Sequence, residues 1–154
     1  MRAVLLRHGE AAPPGPEGDH ARPLTARGAA QARAMGRWIA AVAGPIDRAL
    51  VSDAVRTRET WAHLGLAAEA ETRADLYLAE ETAYFRALPP GGTALVVGHN
   101  DGIGVAAAKL VERDPDHAMF LRYPPCAAVV LEWDGPPAWR TGRVLGFAVP
   151  DDLG

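Results

Sequence analysis

Lysine and cysteine are all but missing from this chain of 154 residues, which has Lys109 and Cys126 alone of each type. A single cysteine cannot close an internal disulfide, so the expected compartment is the reducing cytoplasm. Cys126 itself reads as a small buried hydrophobe rather than a reactive thiol. No apolar run approaches the roughly 18 residues of a membrane span. The stretch Ala3–Leu6, between Arg2 and Arg7, is too short for the apolar centre of a signal peptide. Charge of one sign is lacking as well. A formal net charge of −3 excludes nucleic-acid binding through bulk positive charge. Neither a membrane nor a nucleic acid is therefore expected as a partner.

What is present is ordinary for a folded protein: 49% hydrophobic and 23% charged residues, which argues against disorder. The length, with no linker or internal repeat, predicts a single domain over residues 1–154. Nearly every cation is an arginine, whose planar fork suits phosphate and carboxylate. A GC-rich genome would give the same bias, so only particular arginine positions carry functional weight.

Met1–Leu6 reads as a buried strand followed by Arg7-His8-Gly9-Glu10. Ala11–Pro23, with prolines at 13, 14 and 16, reads as a loop without regular structure. Thr25 is the expected N-cap of a helix over Ala26–Val42, whose Ala32, Met35, Ile39 and Val42 share one face. A strand at Arg48–Val51 leads to a helix capped by Ser52 or Asp53 and running to about His63. A short strand at Ala68–Thr72, a helix at Ala79–Leu88 and a strand at Thr93–Val97 come next, then a helix at Gly102–Val111 capped by Asn100 or Asp101. Ala127–Trp133 and Arg143–Val149 read as a closing pair of strands around Gly135-Pro136-Pro137. Alternating strands and helices predict an α/β fold whose mostly parallel sheet is covered on both faces, the last pair forming an antiparallel edge. Ligands of such sheets sit beyond the strands' C-terminal ends, where His8 and His99 both fall.

Four segments occur in order: Arg7-His8-Gly9, Arg22-Pro23-Leu24-Thr25, Ser52-Asp53-Ala54-Val55-Arg56-Thr57-Arg58-Glu59-Thr60, and Val96-Val97-Gly98-His99-Asn100. Together they resemble the histidine phosphatase (phosphoglycerate mutase-like) superfamily over nearly the whole chain. Length and the Arg-Pro-Leu-Thr segment are most similar to its small bacterial phosphohistidine phosphatases of the SixA type. The resemblance implies a three-layer α/β/α sandwich, and a metal-independent phosphatase without a cofactor. It further implies His8 as the nucleophile, Arg7 and Arg56 as phosphate-binding arginines, and His99 as a second histidine on the phosphate.

The chemistry is intelligible without the family. Phosphoryl transfer needs an in-line nucleophile and cations around the equatorial oxygens. A neutral imidazole supplies the first, and nearby arginines keep it neutral. Arg56, in the first turn of a helix, adds the helix's own positive end. Arg58 points elsewhere and reads as a solvated charge, and His20, His63 and His117 lack metal-ligand spacing. Arg22 is the discriminating residue, because mutases usually carry asparagine there while phosphohistidine phosphatases carry an arginine that reaches the phosphate.

Ester-cleaving relatives supply a glutamate after the short strand in a Gly-x-x-Glu context, whereas this chain reads Asp75-Leu76-Tyr77-Leu78-Ala79-Glu80-Glu81 without the glycine. Phosphohistidine needs less help from an acid, because its nitrogen can leave as neutral imidazole. The leading expectation is therefore removal of phosphate from phosphohistidine in a protein. The alternative is a phosphomonoesterase on a small metabolite with Glu80 or Glu81 as proton donor. A mutase ranks below both, and the rival of another class is a non-catalytic phosphate-binding module.

Overall fold

A computed structural model describes residues 1–154. Six strands form one sheet: β1 (Arg2–Arg7), β2 (Arg48–Ser52), β3 (Ala70–Arg73), β4 (Thr93–Gly98), β5 (Ala128–Glu132) and β6 (Arg143–Ala148). Their order across the sheet is β3-β2-β4-β1-β5-β6. The first four are mutually parallel, and β5 and β6 continue the sheet antiparallel. Four helices connect them: α1 (Ala26–Ala43), α2 (Val55–Leu64), α3 (Glu81–Ala87) and α4 (Gly102–Leu110). None is long and apolar enough to cross a membrane.

The central strands are apolar on both faces because both faces are covered. Along β1, Ala3 and Leu5 enter the core beneath α3 and α4, while Val4 and Leu6 enter the one beneath α1 and α2. The same alternation sends Val96, Val129 and Leu131 one way and Leu95, Val97 and Val130 the other. The result is an α/β/α sandwich with a mostly parallel sheet. Trp38 and Trp61 lie at the rim of the second core, partly buried.

Thr25 caps α1, its hydroxyl accepting from the Gly28 amide at 3.0 Å. The cap expected of Ser52 or Asp53 is absent, and α2 begins after Ala54 with no side-chain cap. Ser52 has been taken elsewhere, its hydroxyl lying 2.7 Å from His99 Nε2. Helix α3 begins at Glu81 rather than Ala79, because Glu80 is still extended (φ −80°, ψ 168°). The loop 11–23 is not wholly irregular. Past its prolines, Asp19–Ala21 forms one 3₁₀ turn closed by Arg22 N–H on the Asp19 carbonyl at 3.1 Å.

Candidate active site

Strands β2, β4 and β1 are neighbours, and their C-terminal ends place Ser52, His99 and His8 side by side. The His8 amide donates to the Gly98 carbonyl at 3.1 Å, tying the ends of β1 and β4 together. The two imidazole centroids are 5.3 Å apart. Glycines permit this crowding: a Cβ on Gly98 would stand 2.4 Å from the Tyr84 ring, and one on Gly28 only 2.1 Å from the Glu10 carbonyl oxygen. The first turns of α2 grip the loop after β1, since Thr60 Oγ1 accepts from the Gly9 amide at 3.0 Å. Tyr84 of α3 holds the other side, its hydroxyl accepting from the His99 amide at 2.9 Å and donating to the Leu76 carbonyl at 2.8 Å.

His8 is buried, and its two ring nitrogens have opposite roles. Nδ1 lies 2.7 Å from the Gly9 carbonyl oxygen, which only accepts, so Nδ1 carries the proton. Nε2 accepts from Arg56 Nε at 3.3 Å and therefore keeps its lone pair. Burial first, and then the guanidinium groups of Arg56, Arg7 and Arg22, push the His8 pKa down from 6.5 to about 4. His99 is held still lower, at about 3, by burial and by its neighbours His8 and Arg56. Its Nδ1 faces Arg56 Nη2 at 3.3 Å and its Nε2 faces Ser52 Oγ. Arg56 Nη2 only donates, so His99 Nδ1 accepts and the ring proton sits on Nε2, which donates to Ser52 Oγ.

Arg56 is 2% exposed and uses two edges of its guanidinium. The side edge, Nε and Nη2, meets His8 and His99. The end, Nη1 and Nη2, meets the Asp19 carbonyl oxygen at 2.7 Å and Asp19 Oδ2 at 3.0 Å. Arg22 comes to the same carboxylate, donating from Nη1 to Oδ1 at 3.0 Å while its Nε holds the Ala12 carbonyl at 2.7 Å. Tyr77 also donates to Asp19 Oδ2. That bond first, then those from Arg22 and Arg56, holds the Asp19 carboxyl well below the usual carboxylate range. Arg7 donates from Nη1 to the Tyr123 carbonyl at 3.1 Å, and its buried Nε has no partner at all. A buried guanidinium N–H without a partner is suited to an anion's oxygen.

The structure thus brings together Arg7, His8, Arg22, Arg56 and His99, and neither glutamate bonds any of them. Glu81 is committed to Lys109, 2.9 Å away, in a shallow surface depression shared with Trp139 and Arg140. Glu80 is exposed at the N-cap of α3. Arg58 is exposed and bonds the Asp53 carbonyl at 3.1 Å. His63 and His117 stay apart from the site, beside Arg33 and Asp152. His20 is nearer than its sequence context suggests, standing edge-on to Tyr77 at 4.8 Å and bonded to Asp53 at 2.8 Å. A surface cleft of about 420 Å³ around Glu10, Arg27, His117 and Pro150 contains none of the five grouped residues.

Asp19, Tyr77, Ser52 and Thr60 are the members that sequence reasoning missed. The Asp-x-x-Arg spacing of Asp19 and Arg22 was a usable signal, since three residues apart in one turn brings the pair within reach. Tyr77, 58 residues from Asp19, left none.

Two neutral imidazoles facing one buried guanidinium at the C-terminal edge of a parallel sheet define a phosphoryl-transfer class of site. The profile of the histidine phosphatase superfamily (branch 1) matches residues 3–84. An uncharacterized protein of Mycobacterium tuberculosis is 38% identical over 159 residues, covering 94% of this chain and 99% of its own length. The phosphohistidine phosphatase SixA of Escherichia coli is 32% identical over 120 residues, covering 71% and 74% respectively. A solved SixA structure from Nakamurella multipartitia superposes with a TM-score of 0.80 at 28% identity, over 97% of this chain and 96% of that one. The chain belongs to the histidine phosphatase superfamily, of SixA type, and is a phosphatase.

Proposed function

We propose that the 154 residues act as a single domain that removes phosphate from phosphohistidine carried on another protein, by way of a phosphoryl group on His8. The observation that carries the reading is the opposed assignment of the His8 nitrogens: a proton fixed on Nδ1 and a lone pair at Nε2 turned towards Arg56. The Nε2 lone pair attacks phosphorus, and the P–N bond to the substrate imidazole breaks. The substrate ring, protonated from solvent at its other nitrogen, departs as neutral imidazole, the departing nitrogen keeping the electron pair. Water then attacks phosphorus in turn, the His8–phosphorus bond breaks, and orthophosphate leaves. Arg7, Arg56 and Arg22 bind the equatorial oxygens. When a phosphoryl oxygen displaces the Arg56 Nη2 contact, His99 takes its other tautomer and donates from Nδ1 to that oxygen, with the Ser52 hydroxyl donating to Nε2.

The substrate class follows from the proton supply. An alkoxide leaves poorly without a carboxylic acid, whereas a phosphoramidate nitrogen leaves as neutral imidazole. Glu81 is paired with Lys109, Glu80 is exposed, and Asp19 is held ionised by Tyr77, Arg22 and Arg56. Asp19 and Glu81 both have their carboxyls held below the ordinary range, so neither is kept in its proton-donating form. The SixA name of the Escherichia coli relative points to the same substrate.

The test is hydrolysis of a phosphohistidine peptide and of p-nitrophenyl phosphate side by side, with metal chelated and His8→Ala as control. The expected result is fast peptide cleavage and slow ester turnover, both lost in the variant. Ester turnover equal to or faster than peptide cleavage would overturn the substrate assignment in favour of a small phosphate ester. No turnover of either would favour a phosphate-binding module.

A further inference from the structure

We propose that Asp19 is a positioning residue for the phosphatase reaction: it clamps the end of the Arg56 guanidinium so that the side edge faces the phosphoryl group between His8 and His99. This inference rests on the constellation being the phosphate site. A guanidinium offers two forks, one at its end (Nη1 and Nη2) and one along its side (Nε and Nη2). Asp19 takes the end fork twice over, with its backbone carbonyl at 2.7 Å from Nη1 and its Oδ2 at 3.0 Å from Nη2. That leaves the side fork as the only one turned towards the imidazoles, where Nε reaches His8 Nε2 and Nη2 reaches His99 Nδ1. A phosphoryl group attacked at phosphorus by His8 Nε2 must present an oxygen to that side.

The clamp serves Arg22 as well. Arg22 arrives from the loop before α1, and its only side-chain partners are the Ala12 carbonyl and Asp19 Oδ1. One carboxylate therefore sets both arginines, each oxygen taking one of them. Asp19 is in turn held by Tyr77, whose ring stands 5.4 Å edge-on from His99 and 5.9 Å from the Arg56 guanidinium carbon. The carboxylate also solves an electrostatic problem. Arg56 is 2% exposed, and a buried cation with no anion is costly whenever the site is empty. Asp19 supplies that anion from the end, where it does not occupy the edge that substrate needs. The arrangement is preorganisation: the donors are aimed before the ligand arrives. Arg7 Nε, buried and unpaired, completes the set of donors left open for the phosphoryl group.

The experiment is steady-state kinetics of Asp19→Ala and Asp19→Asn, on whichever of the two substrates above the wild type turns over. Thermal melting and calorimetric titration with inorganic phosphate accompany it. Asp19→Ala removes the carboxylate but not the backbone carbonyl, so the end fork of Arg56 is held at Nη1 alone and its side fork is less firmly aimed. A tenfold to hundredfold loss of kcat is expected, on the order of what a misplacement near 1 Å costs, with phosphate affinity changed less than kcat. Asp19→Asn keeps an acceptor oxygen and should restore part of the loss. Combining Asp19→Ala with Arg22→Ala should cost less than the two losses multiplied, because both act through one contact. Unchanged kcat with tighter phosphate binding in both Asp19 variants would overturn the proposal and make the carboxylate a competitor for the pocket. A loss of kcat explained by a matching loss of folded protein would overturn it too. His8→Ala tests the site itself: if that variant keeps turnover, the reading of the constellation fails whatever Asp19 does.

Discussion

Lowering the pH from 7 to 5 should destabilise this protein through its two buried histidines, His8 and His99. Both are buried, His8 at 8% and His99 at 1% exposure, and both are held neutral, with pKa values of about 4 and about 3 against an ordinary 6.5. Above pH 6.5 they are neutral folded or unfolded, so pH has no purchase on them. Below it the unfolded chain takes up two protons that the folded one refuses, and stability falls until the folded pKa values are reached. At pH 5 the gap is about 1.5 pH units for each ring, which is roughly 2 kcal/mol each and about 4 kcal/mol together. Against a typical total of about 5–15 kcal/mol that is a large loss.

The carboxylates act in a different window. Asp19, Asp75 and Asp152 are held below their ordinary 3.8, so their contribution is present above that value and is lost only as pH falls further. The interval from pH 6.5 to 5 therefore belongs to the histidines. The assay is urea unfolding at pH 7, 6 and 5, for the wild type and for His8→Asn, which keeps a polar side chain but does not titrate. The wild type should lose about 4 kcal/mol over that range and the variant about half as much. Equal stability at pH 7 and 5, or a slope that His8→Asn leaves untouched, would refute the reasoning.

Two further outcomes follow from the packing. Gly36→Ala should destabilise the fold, since a Cβ there would lie 1.9 Å from the Leu64 carbonyl oxygen and must drive α1 and α2 apart. Overpacking of about 3 kcal/mol, offset by about 1 kcal/mol of better helix propensity, gives a net loss near 2 kcal/mol and a Tm lower by roughly 6 °C in a thermal melt. Glu81→Gln should leave kcat for either phosphate substrate within about twofold, because its partner is Lys109 and not a substrate; a tenfold loss, of the size expected for a general acid, would return Glu81 to the mechanism.

Much of the architecture was legible because the signals were strong and local. Three of the four parallel strands, β1, β2 and β4, follow from apolar runs punctuated by Gly, Pro and polar residues, whereas β3 is short, polar and largely exposed. The Arg143–Val149 segment was readable as an antiparallel partner of Ala127–Trp133 because too few residues separate them for a crossover helix. Helix starts were less legible. A serine before a helix competes for several partners, and at Ser52 an imidazole 47 residues away won over the helix amides. Glu81 shows the same limitation, for position in a first turn says nothing of a lysine 28 residues on.

The site divides along the same line. His8, His99 and Arg56 stand at the ends of elements, so the strand order alone brings them together: β2, β4 and β1 are adjacent, and each delivers its next residues to one edge. Their geometry is inherited from the sheet, and a motif suffices to find them. Arg22, Asp19 and Tyr77 come from connections, and no element fixes where their side chains point. Each is placed by the others, with Asp19 bonded to all three of Arg22, Arg56 and Tyr77. A group that exists only as a mutual arrangement leaves no periodicity and no spacing beyond the short Asp19–Arg22 turn. The consequence for function is a division of labour. On the proposed function, chemistry sits on rigid strand ends, while the aim of Arg22 and Arg56 depends on a loop that one carboxylate holds in place. Substitutions in that loop should therefore change turnover long before they change the fold.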